Sequence, residues 1–246
     1  MPDLSNPGIV RNVARWWRET RAAHGVIASL GLLAGLARQF LLDSLPAQRR
    51  QRYGDVDYDW EHRVDTTSAT VDWHERLIGL LNSPYQPTDP ALFHEMLAAL
   101  EIDFRNFIFV DIGSGKGRTL LMASQYPFRR VIGVELLPGL NRVAQENIRN
   151  YKNDCQQCFV LESICGDARE FVFPLEPTIL FLFNPLPEAG LVQLRTNLEQ
   201  SLRDHPRPVF VLYHNPVLEH VLEGGLLKKT GGTHQYSIFL SRDADL

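Results

Sequence analysis

The sequence is poor in cysteine. It holds three, Cys155, Cys158 and Cys165, in 246 residues. An odd, small number argues against a disulfide framework and for a reducing compartment. Cys155-x-x-Cys158 has the spacing of half a zinc site, but the other half is missing: Cys165 stands alone and no histidine lies between Cys155 and Cys165. The expectation is free thiols in a connecting segment and no metal. Positive charge is not in excess either, with 25 Lys and Arg against 29 Asp and Glu and a formal charge of -4. Non-specific nucleic-acid binders carry a basic excess or stripe, so that activity is not favoured. The apolar run Gly25 to Ala37 falls short of the roughly 20 residues a membrane span needs. Internal repeats and low-complexity tracts are absent. What remains, 44% hydrophobic and 22% charged residues, is ordinary for a soluble α/β domain that builds its core without staples.

The amino-terminal part differs from the rest. Arg11, Arg15, Arg18 and Arg21 precede the apolar run, as in a signal peptide. Glu19 interrupts the basic residues, however, and Leu41 to Pro46 is bulky and contains Asp43, so no small-residue cleavage site comes after the run. A helix is expected, with Arg11, Arg15 and Arg18 on one face. Three uses stay open: residues 10-42 pack on the domain, they lie as a basic amphipathic helix on a membrane surface or a partner, or they are a cleaved signal or a true span. Residues 1-70 are thus read as a helical extension, acting as lid, membrane-surface element or partner element. Gln48 to Arg63, polar and without alternation, reads as helix and loop.

Residues 71-246 are regular. Trp73 to Leu81 reads as a helix, Asn82 to Thr88 as a proline-broken loop, and Asp89-Pro90 as a helix start, with Leu92, Met96, Leu97 and Leu100 at helical spacing. Strands are expected at Phe107–Ile112, Arg130–Glu135, Cys158–Ile164, Thr178–Phe183 and Pro208–Tyr213. Helices are expected at Arg118–Tyr126, Gly139–Tyr151, Gly190–Arg203 and Val217–Glu223. Leu226–Thr230 and Tyr236–Ser241 close the chain as strands turning at Gly231-Gly232. Alternating strands and helices imply a doubly wound, mainly parallel α/β sheet, and the last two strands an antiparallel edge hairpin. Ligands in such sheets bind beyond the carboxyl ends of the strands.

The first strand runs into Asp111-Ile112-Gly113-Ser114-Gly115-Lys116-Gly117. Glycines there let the backbone turn sharply and approach a ligand, while the next helix aims free N–H groups at the same place. Spacing separates the cofactor classes. A P-loop needs Gly-x-x-x-x-Gly-Lys-Ser/Thr, and here Val110 and Gly117 break the pattern. A dinucleotide loop needs Gly-x-Gly-x-x-Gly, and Arg118 stands where its third glycine belongs.

The Asp-x-Gly-x-Gly-x-Gly pattern resembles the first motif of the class I, Rossmann-like S-adenosylmethionine-dependent methyltransferases. Val131 to Glu135 is similar to their second motif, whose acid takes the ribose hydroxyls. Gly166-Asp167-Ala168 is similar to the third, where Asp accepts from the adenine amino group. Ile179 to Leu186, with Asn184-Pro185, is similar to the fourth. The resemblance spans roughly residues 82 to 242. It implies a seven-stranded methyltransferase sheet, S-adenosylmethionine as cofactor, and cofactor contacts from Asp111, Gly113, Ser114, Gly115, Gly117, Glu135, Asp167 and Asn184. Tyr85-Gln86-Pro87-Thr88 resembles the Tyr-x-Pro-Thr/Ser element of certain protein-lysine methyltransferases and related bacterial proteins. It implies that Tyr85 and Thr88 enclose the methionine end. The glycine loop with Asn184-Pro185-Leu186 also resembles a set of uncharacterised bacterial methyltransferases whose fourth motif reads Asn-Pro-Phe; Leu186 in this chain weakens any inference of an aromatic substrate clamp.

Methyl transfer from a sulfonium is an in-line displacement that needs position and electrostatics. The resemblance to the Asn-Pro pair of related enzymes implies that Asn184 and Pro185 are the acceptor-holding, catalytic residues and that they suit a nitrogen nucleophile; a protein lysine or a small-molecule amine is expected ahead of a nucleic-acid base, which stays open. His214 reads as a hydrogen-bonded structural residue, with general base as its alternative. Two other classes stay open: an inactive methyltransferase-fold scaffold and a nicotinamide-dependent oxidoreductase. The expected location is cytoplasmic, with peripheral membrane attachment as a variant.

Overall fold

The computed structural model describes residues 7–43, 56–67 and 85–242. The helix expected at Trp73–Leu81 lies outside them. The chain forms two compact units, one of Met1–Asp57 with Thr67–Gln86, the other of Tyr58–Thr66 with Pro87–Leu246.

In the first unit, helix α1 (Pro7–Asp43) is broken at Gly25, where φ is 79° and ψ 172°. Glycine tolerates this left-handed φ because it has no Cβ. The Ser29 hydroxyl donates to the Gly25 carbonyl at 2.6 Å, giving an acceptor at the break a partner. Apolar side chains beyond the break face outward: Ile27 is 88% exposed and Leu30 53%. By length and composition alone, Val13–Arg38 would suffice to cross a membrane, and the break lies inside it.

The second unit is the expected doubly wound sheet. Its strands are β1 (Ile108–Ile112), β2 (Val131–Glu135), β3 (Leu161–Cys165), β4 (Thr178–Leu182), β5 (Val209–His214), β6 (Leu227–Gly232) and β7 (Tyr236–Ser241). They lie in the order β3-β2-β1-β4-β5-β7-β6. The first five are parallel, and β7 runs antiparallel to both β5 and β6. The helices are α2 (Val56–His62), α3 (Pro90–Ala98), α4 (Arg118–Ala123), α5 (Pro138–Asn150), α6 (Glu188–Asp204) and α7 (Glu219–Leu222).

Each buried strand sends alternate side chains to opposite faces. Phe109, Phe181, Phe210 and Leu212 meet Phe93, Met96 and Leu97 of α3 and Leu120 of α4. Val110, Leu180, Val211 and Tyr213 meet Leu191, Leu194 and Leu198 of α6. Phe93 sits edge-on to Phe109 and Phe181, with centroids 5.8 and 5.7 Å away. Burying a side chain of that size contributes about 2–3 kcal/mol. Helix α3 begins as expected: the Asp89 carboxylate accepts from the Leu92 amide at 2.9 Å, and Pro90 needs no donor of its own.

Three expectations change. Strand β3 starts at Leu161 rather than Cys158 and is not buried throughout; as an edge strand it exposes Glu162, Ile164 and Cys165. Gly231 and Gly232 are not the turn but the end of β6. A Cβ on Gly232 would lie 2.4 Å from the Tyr236 carbonyl oxygen, so the ladder itself demands glycine there. Residues 58–66, expected in the amino-terminal extension, belong to the sheet unit, because their acids and hydroxyls bond to the helices after β1 and β2.

Candidate functional site

The carboxyl ends of β1, β2 and β4 converge on the glycine loop. Gly113, Gly115 and Gly117 all hold positive φ, at 81°, 55° and 84°. L-residues disfavour that region, so the three glycines are a requirement of the path rather than a composition bias. The amides of Gly113 and Ser114 donate to the Val134 carbonyl at 2.8 and 3.1 Å, tying the loop to β2. Ser114 itself turns inward. Its hydroxyl fills the space above Gly133, where a Cβ would lie 2.6 Å from Ser114 Oγ. Its amide is spent on Val134 and its carbonyl accepts from the Gly117 amide at 2.8 Å, while its buried hydroxyl has no hydrogen-bond partner among the described residues.

Two acids stand under this loop. Glu135 ends β2 and is 6% exposed. It accepts from the Gly115 amide through Oε2 and from the Leu137 amide through Oε1, both at 2.8 Å. The carboxylate thus bridges the turns after β1 and β2, and it has further acceptor capacity, since ionised it takes about four donors. Asp111 is 3% exposed and accepts from the Thr119 hydroxyl of α4. Burial raises its pKa to about 7; the Thr119 bond opposes this and the Glu135 charge adds to it. Asp111 holds the loop to α4 from beneath.

The third acid is committed too. Asp167 caps a 3-10 turn through the Arg169 amide at 3.1 Å, and Arg169 grips its carboxylate with Nε at 2.9 Å and Nη2 at 2.5 Å. The turn chemistry and the acid that the resemblance implies occupy one residue.

Asn184-Pro185 comes after β4 and touches the glycine loop. A Cβ on Gly113 would lie 2.8 Å from Pro185 Cβ, so the proline ring is packed onto that glycine. Asn184 adopts a left-handed φ of 44°. Its amide nitrogen donates to the Asn215 carbonyl at 2.9 Å, and its carbonyl accepts from the Tyr213 hydroxyl at 2.7 Å. One valence at each end of the amide is spent on clamping β4 to β5. Asn215, which precedes Pro216, mirrors it with φ of 49°. His214 lies between, its ring stacked on Phe183 at 3.9 Å. Burial lowers its pKa, against the upward pull of Asp89. Its Nδ1 is buried without a hydrogen-bond partner among the described residues, which departs from the hydrogen-bonded structural histidine expected.

Thr88 is buried just ahead of α3. Tyr85 is half-buried and belongs to the other unit. Cys155 and Cys165 are exposed free thiols, and Cys158 is buried.

Sequence reasoning missed the outer wall of the loop. Lys116 is 1% exposed and its ammonium donates to Asp65 Oδ1 at 2.8 Å. Arg118 is 2% exposed; it donates to Thr66 Oγ1 at 2.7 Å, pairs with Asp59 at 3.6 Å, and lies 4.8 Å over the Tyr58 ring. Asp59 accepts in turn from the Thr66 amide at 2.8 Å and from its hydroxyl. Asn147 of α5 completes the strap. It accepts from the Asp65 amide at 2.9 Å and donates to the carbonyls of Asp65 and Lys116 at 2.8 and 2.9 Å. Two buried cations in a glycine loop need partners, and the acids in residues 58–66 were the available signal.

No protein-family model and no curated protein matches the chain. Solved structures do. The chain is similar to an RNA methyltransferase from Salinibacter ruber in complex with S-adenosyl-L-homocysteine, at 20% identity, 65% of this chain, 100% of that chain and a TM-score of 0.45. It is similar to precorrin-6y C5,15-methyltransferase from Geobacter metallireducens GS-15, at 14% identity, 62% of this chain, 88% of that chain and a TM-score of 0.44. It is also similar to a predicted N6-adenine-specific DNA methylase from Listeria monocytogenes str. 4b F2365, at 13% identity, 63% of this chain, 51% of that chain and a TM-score of 0.46.

Proposed function

We propose that this chain is an S-adenosylmethionine-dependent methyltransferase acting on a nitrogen acceptor, a protein lysine or a small-molecule amine. One observation carries the reading: Pro185 of the Asn-Pro turn packs on Gly113 of a glycine loop whose Gly115 amide sits on the strand-end acid Glu135. A nucleoside-type loop and a polar turn thereby share the carboxyl edge of β1, β2 and β4, where open α/β sheets bind ligands.

The residues fit such a cofactor. Gly113, Gly115 and Gly117 give close backbone approach, Glu135 has acceptor capacity for ribose hydroxyls, and Asp167 stands beyond β3 for the adenine end. When bound, the cofactor supplies a methyl group activated on a sulfonium. The chain supplies placement. Carbonyls at Asn184 and Pro185 accept N–H bonds from the acceptor amine, and the Asn184 amide holds that turn rigid through Tyr213 and Asn215. His214, which ends β5 with its ring tilted against Phe183, is the candidate to take the amine proton.

Calorimetric titration with S-adenosylmethionine tests the donor. Micromolar-range binding is expected; no binding at millimolar cofactor supports an inactive scaffold, and preference for a nicotinamide dinucleotide supports an oxidoreductase. Transfer of a tritiated methyl group to fractionated lysate tests the acceptor, with label in nucleic acid alone overturning the amine assignment. The Asn184→Ala protein is expected to bind cofactor as wild type does and to lose turnover.

For the amino-terminal helix, the exposed Val26, Ile27 and Leu30 beside the arginine-rich segment support a cytoplasmic protein resting on an anionic membrane surface. Cosedimentation with phosphatidylserine vesicles, lost in Ile27→Asp, is the expected result. Recovery in the supernatant at low salt refutes it.

A further inference from the structure

We infer that Asp59 and Asp65 are positioning residues for the cofactor loop, acting through Arg118 and Lys116. The inference rests on the reading of the loop as a cofactor site.

Lys116 sits between Gly115 and Gly117, the two glycines whose positive φ shapes the loop's far half. Its carbonyl is fixed by Asn147 and its ammonium by Asp65, and Asn147 also binds both backbone groups of Asp65. Backbone and side chain of one loop residue are therefore tied to a single point 51 residues upstream. Arg118 opens α4, whose first amides face the loop, and Thr66 and Asp59 fix its guanidinium. The Thr66 hydroxyl can receive the Arg118 bond at its oxygen because its own proton goes to Asp59. The acid thus sets the direction of a hydroxyl that in turn sets the arginine.

This arrangement does more than neutralise charge. Holding a glycine loop in one conformation costs a large entropy. Glu135 holds the loop at the Gly115 amide, and the strap holds it at Lys116 and Arg118. Released, the Lys116 ammonium would leave its buried site for water and draw residues 115–117 with it.

The test uses the full-length protein and the variants Asp65→Asn and Lys116→Met, with S-adenosylmethionine titration and amide hydrogen exchange without cofactor. Expected are a dissociation constant raised about tenfold, the loss of one part-buried charge-assisted hydrogen bond, and faster exchange at Gly115 and Gly117 with β7 unchanged. Lys116→Met keeps the buried stem and remains usable if Asp65→Asn fails to fold. A lowered melting temperature with unchanged affinity and unchanged loop exchange overturns the inference, leaving the strap a structural element only. If wild type binds no S-adenosylmethionine, the cofactor reading falls, while the exchange measurement still decides whether the strap positions the loop.

Discussion

The glycine loop is held from two sides by opposite means. On the sheet side, acids from strand ends grip it: Glu135 through the Gly115 amide and Asp111 through Thr119. On the outer side the polarity reverses. Lys116 of the loop and Arg118, the first residue of α4, reach into acids of a strap that precedes β1 by some forty residues. The inner grip acts on the loop and its helix from a parallel sheet whose strands already place the acids. The outer grip acts on side chains and exists only when a distant segment is docked. The difference suggests a division of labour, with the inner acids shaping the loop and the strap deciding how firmly it stays shaped.

Breaking the inner grip has the largest expected effect. Glu135→Ala strands two buried backbone donors, each costing about 1–3 kcal/mol, so up to about 6 kcal/mol in all. Urea unfolding should show the loss, and S-adenosylmethionine titration should show no binding. A variant that unfolds like wild type would mean the two turns find other partners.

Asp111 sharpens the comparison because its cost depends on pH. Its folded pKa, about 7, is raised above the unfolded value near 3.8 by burial. Between those values the folded state holds the proton that the unfolded state has lost. Its contribution is thus fully present below about pH 4 and fades as pH rises through about 7. A shift of about three units corresponds to about 4 kcal/mol. Asp111→Asn should flatten the fall in stability from pH 4 to 7, and an unchanged slope would place that titration elsewhere.

Both inner acids were legible in the sequence because each stands at or next to the end of a short apolar strand. Glu135 and Gly115 are one βαβ step apart, 20 residues, so local pattern carries the pairing. The mainly parallel sheet and the edge hairpin came from the same alternation, whereas the strand order is seen only in the fold. The strap was not legible. Asp59, Asp65 and Thr66 lie in a polar stretch without periodicity, and their partners are 51 and 52 residues away for Lys116 and Arg118. Asn184 was found but its job was half seen. Its resemblance to the fourth motif implied a place beside the loop, whereas its bonds to Tyr213 and Asn215 depend on β4 and β5 being neighbours.

Cutting the outer grip comes next in size. Arg118→Met leaves the buried Asp59 carboxylate without its cation and removes the contact over Tyr58. Breaking a buried pair from one side costs about 3 kcal/mol. Denaturant midpoints of the single variants and of Arg118→Met/Asp59→Asn would isolate the pair. Strict additivity would show that the strap and α4 are not coupled.

The smallest effect distinguishes the two ends of the loop. Gly113→Ala and Gly117→Ala meet the same backbone penalty, about 1–2 kcal/mol for a left-handed φ, since φ is 81° and 84°. Their new methyl groups meet different neighbours. At Gly117 the Cβ lies 3.2 Å from Ala144 of α5; at Gly113 it lies 2.8 Å from Pro185. Only the second contact pushes on the Asn-Pro turn and, through it, on the Asn184 bonds to Tyr213 and Asn215. Both proteins should lose stability and some cofactor affinity. Gly113→Ala alone should also lose kcat, and to a greater extent than affinity. Equal losses of kcat would separate the Asn-Pro turn from the transfer step and leave its contact with the loop a matter of packing.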